Sequence, residues 1–143
     1  MPGIVVGVDG SASSSRALEW AAREAALRHA QLTVLVVNPI VVSQWTGTPI
    51  RFGADSSAEE RAREAAQEAA QKVTSELGDA QPASVTVKVV SGAPAAELIE
   101  ASRDADLMVV GKRGGGGFAS LLIGSVTAQV VNHASSPVAV ISA

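Results

Sequence analysis

Short apolar runs alternate with longer helix-patterned segments along the whole chain, and this alternation restricts the fold more than any other feature. Ile4-Val5-Val6-Gly7-Val8-Asp9 reads as a buried strand closed by a polar residue and Gly10. Ser11, Ser13, Ser14 and Ser15 then offer caps for a helix over 16–30, with Ala17, Leu18, Ala21 and Ala25 along one face. Leu32 to Val37 is a second strand, stopped by Asn38-Pro39. Residues 40–56 have no clear period and form a long excursion. Ser57 and Glu60 have capping-box spacing before a helix along Ala62, Ala66, Ala69, Val73 and Leu77, with Gly78 as its C-terminal cap. Ser84 to Val90 is the third strand, Gly92-Ala93-Pro94 opens a helix through Ser102, and Asp106 to Val110 is the fourth strand. A helix over Ser125 to Ala134 and a fifth strand over Val138 to Ile141 complete the pattern. Strands that alternate with helices predict an α/β fold with a doubly wound parallel sheet and helices on both faces.

Composition agrees. The chain is 47% hydrophobic but only 3% aromatic, so its core is built from Val, Ile, Leu and Ala, which suit strands buried on both faces. A length of 143 residues predicts one domain over 1–143. The formal charge of -3, without a basic stripe, argues against nucleic acid as a partner. There is no cysteine, which excludes disulfides, thiol catalysis and thiolate metal sites. His29 and His133 fall near predicted helix C-termini, where imidazolium suits the dipole, and two histidines make a protein-only metal site improbable. No apolar run approaches the ~20 residues that span a bilayer, and the first residues lack a signal-peptide pattern. The expectation is a cytoplasmic protein with no membrane partner.

The chemistry concentrates between Leu107 and Thr127. The apolar run Leu107-Met108-Val109-Val110 empties into Gly111-Lys112-Arg113-Gly114, and nine residues after Gly114 stand Gly124 and Ser125. Glycines let a backbone turn its N–H groups around an anion. A helix starting at Ser125 adds free N–H donors and the positive end of a dipole. Phosphate oxygens would meet backbone N–H groups near Gly114 and from Gly124 to Val126, together with the Ser125 hydroxyl. Lys112 and Arg113 either add charge there or are solvated surface.

In open parallel sheets, ligands sit beyond the carboxyl ends of the strands where the strand order reverses. With the order 3-2-1-4-5, that reversal lies between the first and fourth strands, which end at Asp9 and Gly111. Two roles fit Asp9: satisfying turn amides at the start of the first helix, or accepting hydrogen bonds from both hydroxyls of a ribose. Other nucleotide signatures fail. Gly114-x-Gly116-x-x-Ala119 follows the fourth strand rather than the first, and no Ser or Thr follows Gly111-Lys112 to make a Walker A loop. There is no Gly-x-Ser-x-Gly nucleophile elbow.

The spacing Gly-x2-Gly-x9-Gly-Ser resembles the nucleotide-binding signature of the universal stress protein family. The resemblance extends over Ile4-Val5-Val6-Gly7-Val8-Asp9-Gly10-Ser11, Val90-Ser91-Gly92-x-Pro94, Asp106 to Gly111, Gly117-Phe118-x-x-Leu121-Leu122-x-Gly124-Ser125-Val126 and Ser136-Pro137-Val138-Ala139-Val140. It implies five strands in the order 3-2-1-4-5, in the manner of the adenine nucleotide alpha-hydrolases, and the ATP-binding branch of the family. It implies a site made of Gly7, Val8, Asp9, Val37, Gly111, Lys112, Arg113, Gly114, Gly117, Gly124, Ser125, Val126 and Thr127. The main chain of Val37 would read the adenine edge, and Mg²⁺ would arrive with the ATP phosphates rather than on protein ligands.

The expected protein is thus a nucleotide-dependent stress-response switch with at most slow ATP hydrolysis, since no residue is clearly placed to orient a water at a γ-phosphate. Cyclic AMP or ADP are the alternative ligands. A phosphotransferase or a flavin-dependent electron carrier is the alternative of a different class. The last strand, Val138-Ala139-Val140-Ile141, is apolar on both faces and lies at a sheet edge in the expected order. An uncovered edge invites a partner strand, which predicts a homodimer through it, as the resemblance also implies.

Overall fold

The computed structural model describes residues 3–42, 49–51, 56–112 and 124–142. Their order is β1 (Ile4–Gly7), α1 (Ala12–Arg28), β2 (Gln31–Val42), β3 (Pro49–Arg51), α2 (Ser56–Ser75), β4 (Ser84–Gly92), α3 (Pro94–Ser102), β5 (Leu107–Gly111), α4 (Ser125–His133) and β6 (Val138–Ile141). Five strands pair in parallel, in the spatial order β4-β2-β1-β5-β6. Counted without β3, this is the expected order 3-2-1-4-5.

Alternation along the strands builds two apolar layers. Ile4, Val6, Leu32, Val34, Leu107 and Val109 point to one face and pack against Ala17, Leu18, Ala21, Ala22 and Ala25 of α1 and Ala66 and Ala70 of α2. Leu35, Met108 and Val110 point to the other and meet Leu98 of α3 and Val130 of α4. Each strand therefore needs apolar residues at successive positions. The buried alanines let α1 lie close to the sheet, and Leu18, fully buried among them, contributes about 1.5–3 kcal/mol.

Several boundaries differ from those expected. Asn38-Pro39 does not stop β2, which runs to Val42 and pairs antiparallel with β3 inside the stretch expected to be an unpatterned excursion. The reason lies in strand parity. The Leu35 carbonyl faces β1, where it accepts from the Val8 N–H at 3.0 Å, so the odd residues of β2 turn their peptide groups that way. Since β1 ends at Gly7, the N–H that Pro39 lacks would have had no ladder partner there.

Helix α1 begins four residues earlier than expected. Ser11 alone caps it, accepting from the Ser14 N–H at 3.2 Å, while Ser13 and Ser14 are buried within its first turn. It ends at Arg28, where His29 takes the left-handed conformation. Helix α2 includes Ser57, so the expected capping box is displaced into its first turn, and the helix stops at Ser75 while Gly78 (φ 67°) serves the turn beyond. Proline takes the early position expected in α3.

Candidate functional site

The ends of β1 and β5 lie side by side in the sheet, Val6 opposite Val109. After Gly7 the chain turns through Asp9 and the left-handed Gly10 (φ 83°) into α1. The Asp9 carboxylate accepts the Ser11 N–H at 2.9 Å, and the Asp9 N–H donates to Ser14 Oγ at 3.3 Å. Partial burial works to raise the Asp9 pKa. The hydrogen bonds from Ser11, Ser14 and the local backbone outweigh it and hold the carboxyl below its ordinary value. Asp9 is thus an ionised group on the exposed rim of the crevice, and its turn-capping role is realised in the structure.

Beside it stands the edge of β2, unpaired at Val37 among the described residues. Because Leu35 turns its carbonyl toward β1, the same parity directs the N–H and C=O of Val37 past the end of β1, into the space beyond Val8. One donor and one acceptor side by side form a complementary edge for a flat heterocycle. The neighbouring Asn38 alternates onto the α1/α2 face and buries its Nδ2 with no hydrogen-bond partner among the described residues.

On the other side, Lys112 carries the chain out of β5. Its N–H donates to the Ile141 carbonyl at 2.8 Å and its C=O accepts from the Gly124 N–H at 2.9 Å. Gly124 is the N-cap of α4 and, having no side chain, supplies no side-chain cap to the first-turn donors of that helix. Ser125 and Val126 are exposed there, whereas Thr127 is buried and donates its hydroxyl to the Gly111 carbonyl at 2.7 Å.

Of the residues expected at the site, Gly7, Val8, Asp9 and Val37 thus gather around one crevice end, and Gly111, Lys112, Gly124, Ser125, Val126 and Thr127 around the other. Arg113, Gly114 and Gly117 lie outside the described residues. Two glycines also have packing reasons. A Cβ at Gly7 would sit 2.8 Å from Leu98 Cδ2, and one at Gly111 would sit 2.5 Å from Ser13 Oγ and 2.8 Å from the Ser13 carbonyl carbon. Sequence reasoning did not identify Ser14 as the partner of Asp9, although an Asp followed by serines at short range is a usable signal. Among the described residues, no group of three His, Cys, Asp or Glu side chains is arranged to hold a metal ion, and no helix is long and apolar enough to cross a membrane.

Comparison with known proteins bears on this site. The chain is 40% identical over 140 residues to a universal stress protein of Mycolicibacterium smegmatis, covering 97% of this chain and 47% of that one. It spans about half the length of the curated relatives it matches. A universal stress protein solved in complex with cAMP superposes with a TM-score of 0.68 at 26% identity, over 99% of this chain and 96% of the other. One from Archaeoglobus fulgidus, in complex with dAMP, gives 0.65 at 25% identity, over 99% and 98%. The model of the universal stress protein family matches residues 2–142, and the chain belongs to that family.

Proposed function

We propose that this chain binds an adenine nucleotide across the carboxyl ends of β2, β1 and β5 and acts as a nucleotide-responsive signalling protein of the cytoplasm. The observation that carries the reading is the peptide edge of Val37, unpaired among the described residues, on one side of the Asp9 turn, with the first turn of α4 on the other. A donor and an acceptor on one peptide edge match N1 and N6 of adenine. Asp9 accepts from the ribose hydroxyls with whatever lone pairs Ser11 leaves free. The N–H groups at the start of α4 and the Ser125 hydroxyl receive phosphate oxygens. Lys112, at the end of β5, adds positive charge beside the phosphates, and Arg113, Gly114 and Gly117, outside the described residues, are proposed as further phosphate contacts.

The ligand is ATP with Mg²⁺ bound through its phosphates, and hydrolysis is slow at most. Cyclic AMP is the second reading, supported by the relatives solved with cAMP and dAMP. The same fold region pairs two copies along β6. Its outward peptide groups are those of Val138 and Val140, because Pro137 and Ile141 turn their carbonyls to β5. All four of its side chains are half-buried and none is charged, whereas the opposite edge strand, β4, exposes Lys88.

Calorimetric competition between MgATP and cAMP tests the ligand. Gly124→Val keeps an ordinary extended backbone (φ -63°, ψ 156°) but sets a branched side chain over the phosphate donors. It is expected to lower affinity at least tenfold with the fold intact. Absence of binding heat for ATP, ADP and cAMP in the wild type refutes the reading.

A further inference from the structure

Ser13 is not among the residues expected at the nucleotide site, yet it ties that site to the sheet edge. It is the second residue of α1, 8% exposed, and its hydroxyl donates to the Ile141 carbonyl at 3.2 Å. The same carbonyl accepts the Lys112 N–H at 2.8 Å, and the Lys112 carbonyl accepts the Gly124 N–H at 2.9 Å. The end of the edge strand β6 is therefore clamped by both flanks of the crevice: the turn that carries Asp9 enters through Ser13, and the phosphate-facing cap of α4 enters through Lys112. Gly111, lacking a Cβ, lets the first turn of α1 come close enough for this, since a methyl group there would overlap Ser13.

We propose that Ser13 is a positioning residue that couples nucleotide binding to pairing of a second copy of this chain at β6. The inference rests on the nucleotide reading above. A nucleotide bridging Asp9 and α4 fixes the two groups that grip Ile141, and so fixes the strand whose outer edge, at Val138 and Val140, receives the partner strand. Linkage requires the converse as well, so the paired state binds nucleotide more tightly by the same factor.

Sedimentation equilibrium of the full chain with and without saturating MgATP, repeated with cAMP, measures this. Binding of nucleotide is expected to tighten the wild-type dimer by roughly fivefold or more. In Ser13→Ala the shift is expected to fall below about twofold, under the roughly fivefold low end of such couplings. A Ser13 that serves stability alone would lower the melting temperature and leave the nucleotide-dependent shift intact, which overturns the proposal. If Ser13→Ala does not fold, hydrogen exchange on the wild type decides: nucleotide is expected to slow exchange at the Lys112 amide and along β6, and no change there overturns the proposal. A wild type that binds nucleotide but stays monomeric, or dimerises with the same constant in both conditions, overturns it while leaving the nucleotide reading standing. Failure to bind either nucleotide overturns both.

Discussion

Thr127 donates its hydroxyl to the carbonyl of Gly111 at 2.7 Å, joining the first turn of α4 to the last residue of β5 across sixteen positions of sequence. The bond is buried, and the Gly111 carbonyl faces the gap that opens where β1 ends. The threonine thus serves to orient the helix, and its proton is already engaged there. Thr127→Val keeps the shape and strands the carbonyl. It is expected to cost about 1–3 kcal/mol, seen as a melting temperature lower by roughly 3–10 °C.

Asp9 makes acid stability its own readout. Its carboxyl is held below the ordinary carboxylate value by the bonds from Ser11 and Ser14. The unfolded chain therefore takes up a proton at a higher pH than the folded one. The stability this adds is fully present above the unfolded value, about 3.9, and is lost as pH falls through the lower folded value. Urea midpoints measured from pH 6 down to pH 3 are expected to fall less steeply in Asp9→Asn than in the wild type. Equal slopes refute the claim.

The two packed glycines differ in what they press against. At Gly7 an added methyl meets the far end of the Leu98 side chain, which can shift. At Gly111 it meets the Ser13 backbone as well as its hydroxyl. Gly7→Ala is expected to cost about 1 kcal/mol and Gly111→Ala about 3 kcal/mol, the two ends of the overpacking range. Chemical denaturation of the pair checks the order, and the reverse order would contradict the packing described.

His29 holds φ 53° and ψ 40° at the end of α1 and is exposed. A residue with a Cβ is strained there and glycine is not. His29→Gly is expected to stabilise the fold by about 1 kcal/mol, raising the melting temperature by roughly 3–5 °C.

Proline distinguishes the two sides of β6. The Ala139 peptide faces β5, so proline there removes a bond of the sheet itself. The Val140 peptide faces outward. Val140→Pro is therefore expected to leave far-ultraviolet circular dichroism unchanged and shift light scattering toward monomer, whereas Ala139→Pro, which removes a ladder bond, lowers stability by about 1–3 kcal/mol.

Most of the architecture was legible because its signals are local. Apolar runs such as Val5-Val6 and Met108-Val109-Val110 need two buried faces, and the alanines at 17, 21, 22 and 25 need a surface to lie on. The alternation of the two predicts a parallel sheet before any contact is known. The glycine spacing from Gly111 to Gly124-Ser125 pointed to the crevice for the same reason, since a helix start and a strand end can be read within a few residues.

What depended on pairing between distant segments could not be read this way. Pro39 looks like a strand terminator until the early end of β1 removes the partner its N–H would have needed. Gly7 and Gly111 read only as ligand residues in the sequence, and their second, packing reason shows once Leu98 and Ser13 are seen against them. Ser13 is one of the four serines between residues 11 and 15. Only its approach to Ile141, 128 positions away, distinguishes it from the cap at Ser11. Periodicity records which way a side chain faces, but which atom waits at the other end is decided by the register of strands that meet only in the folded sheet.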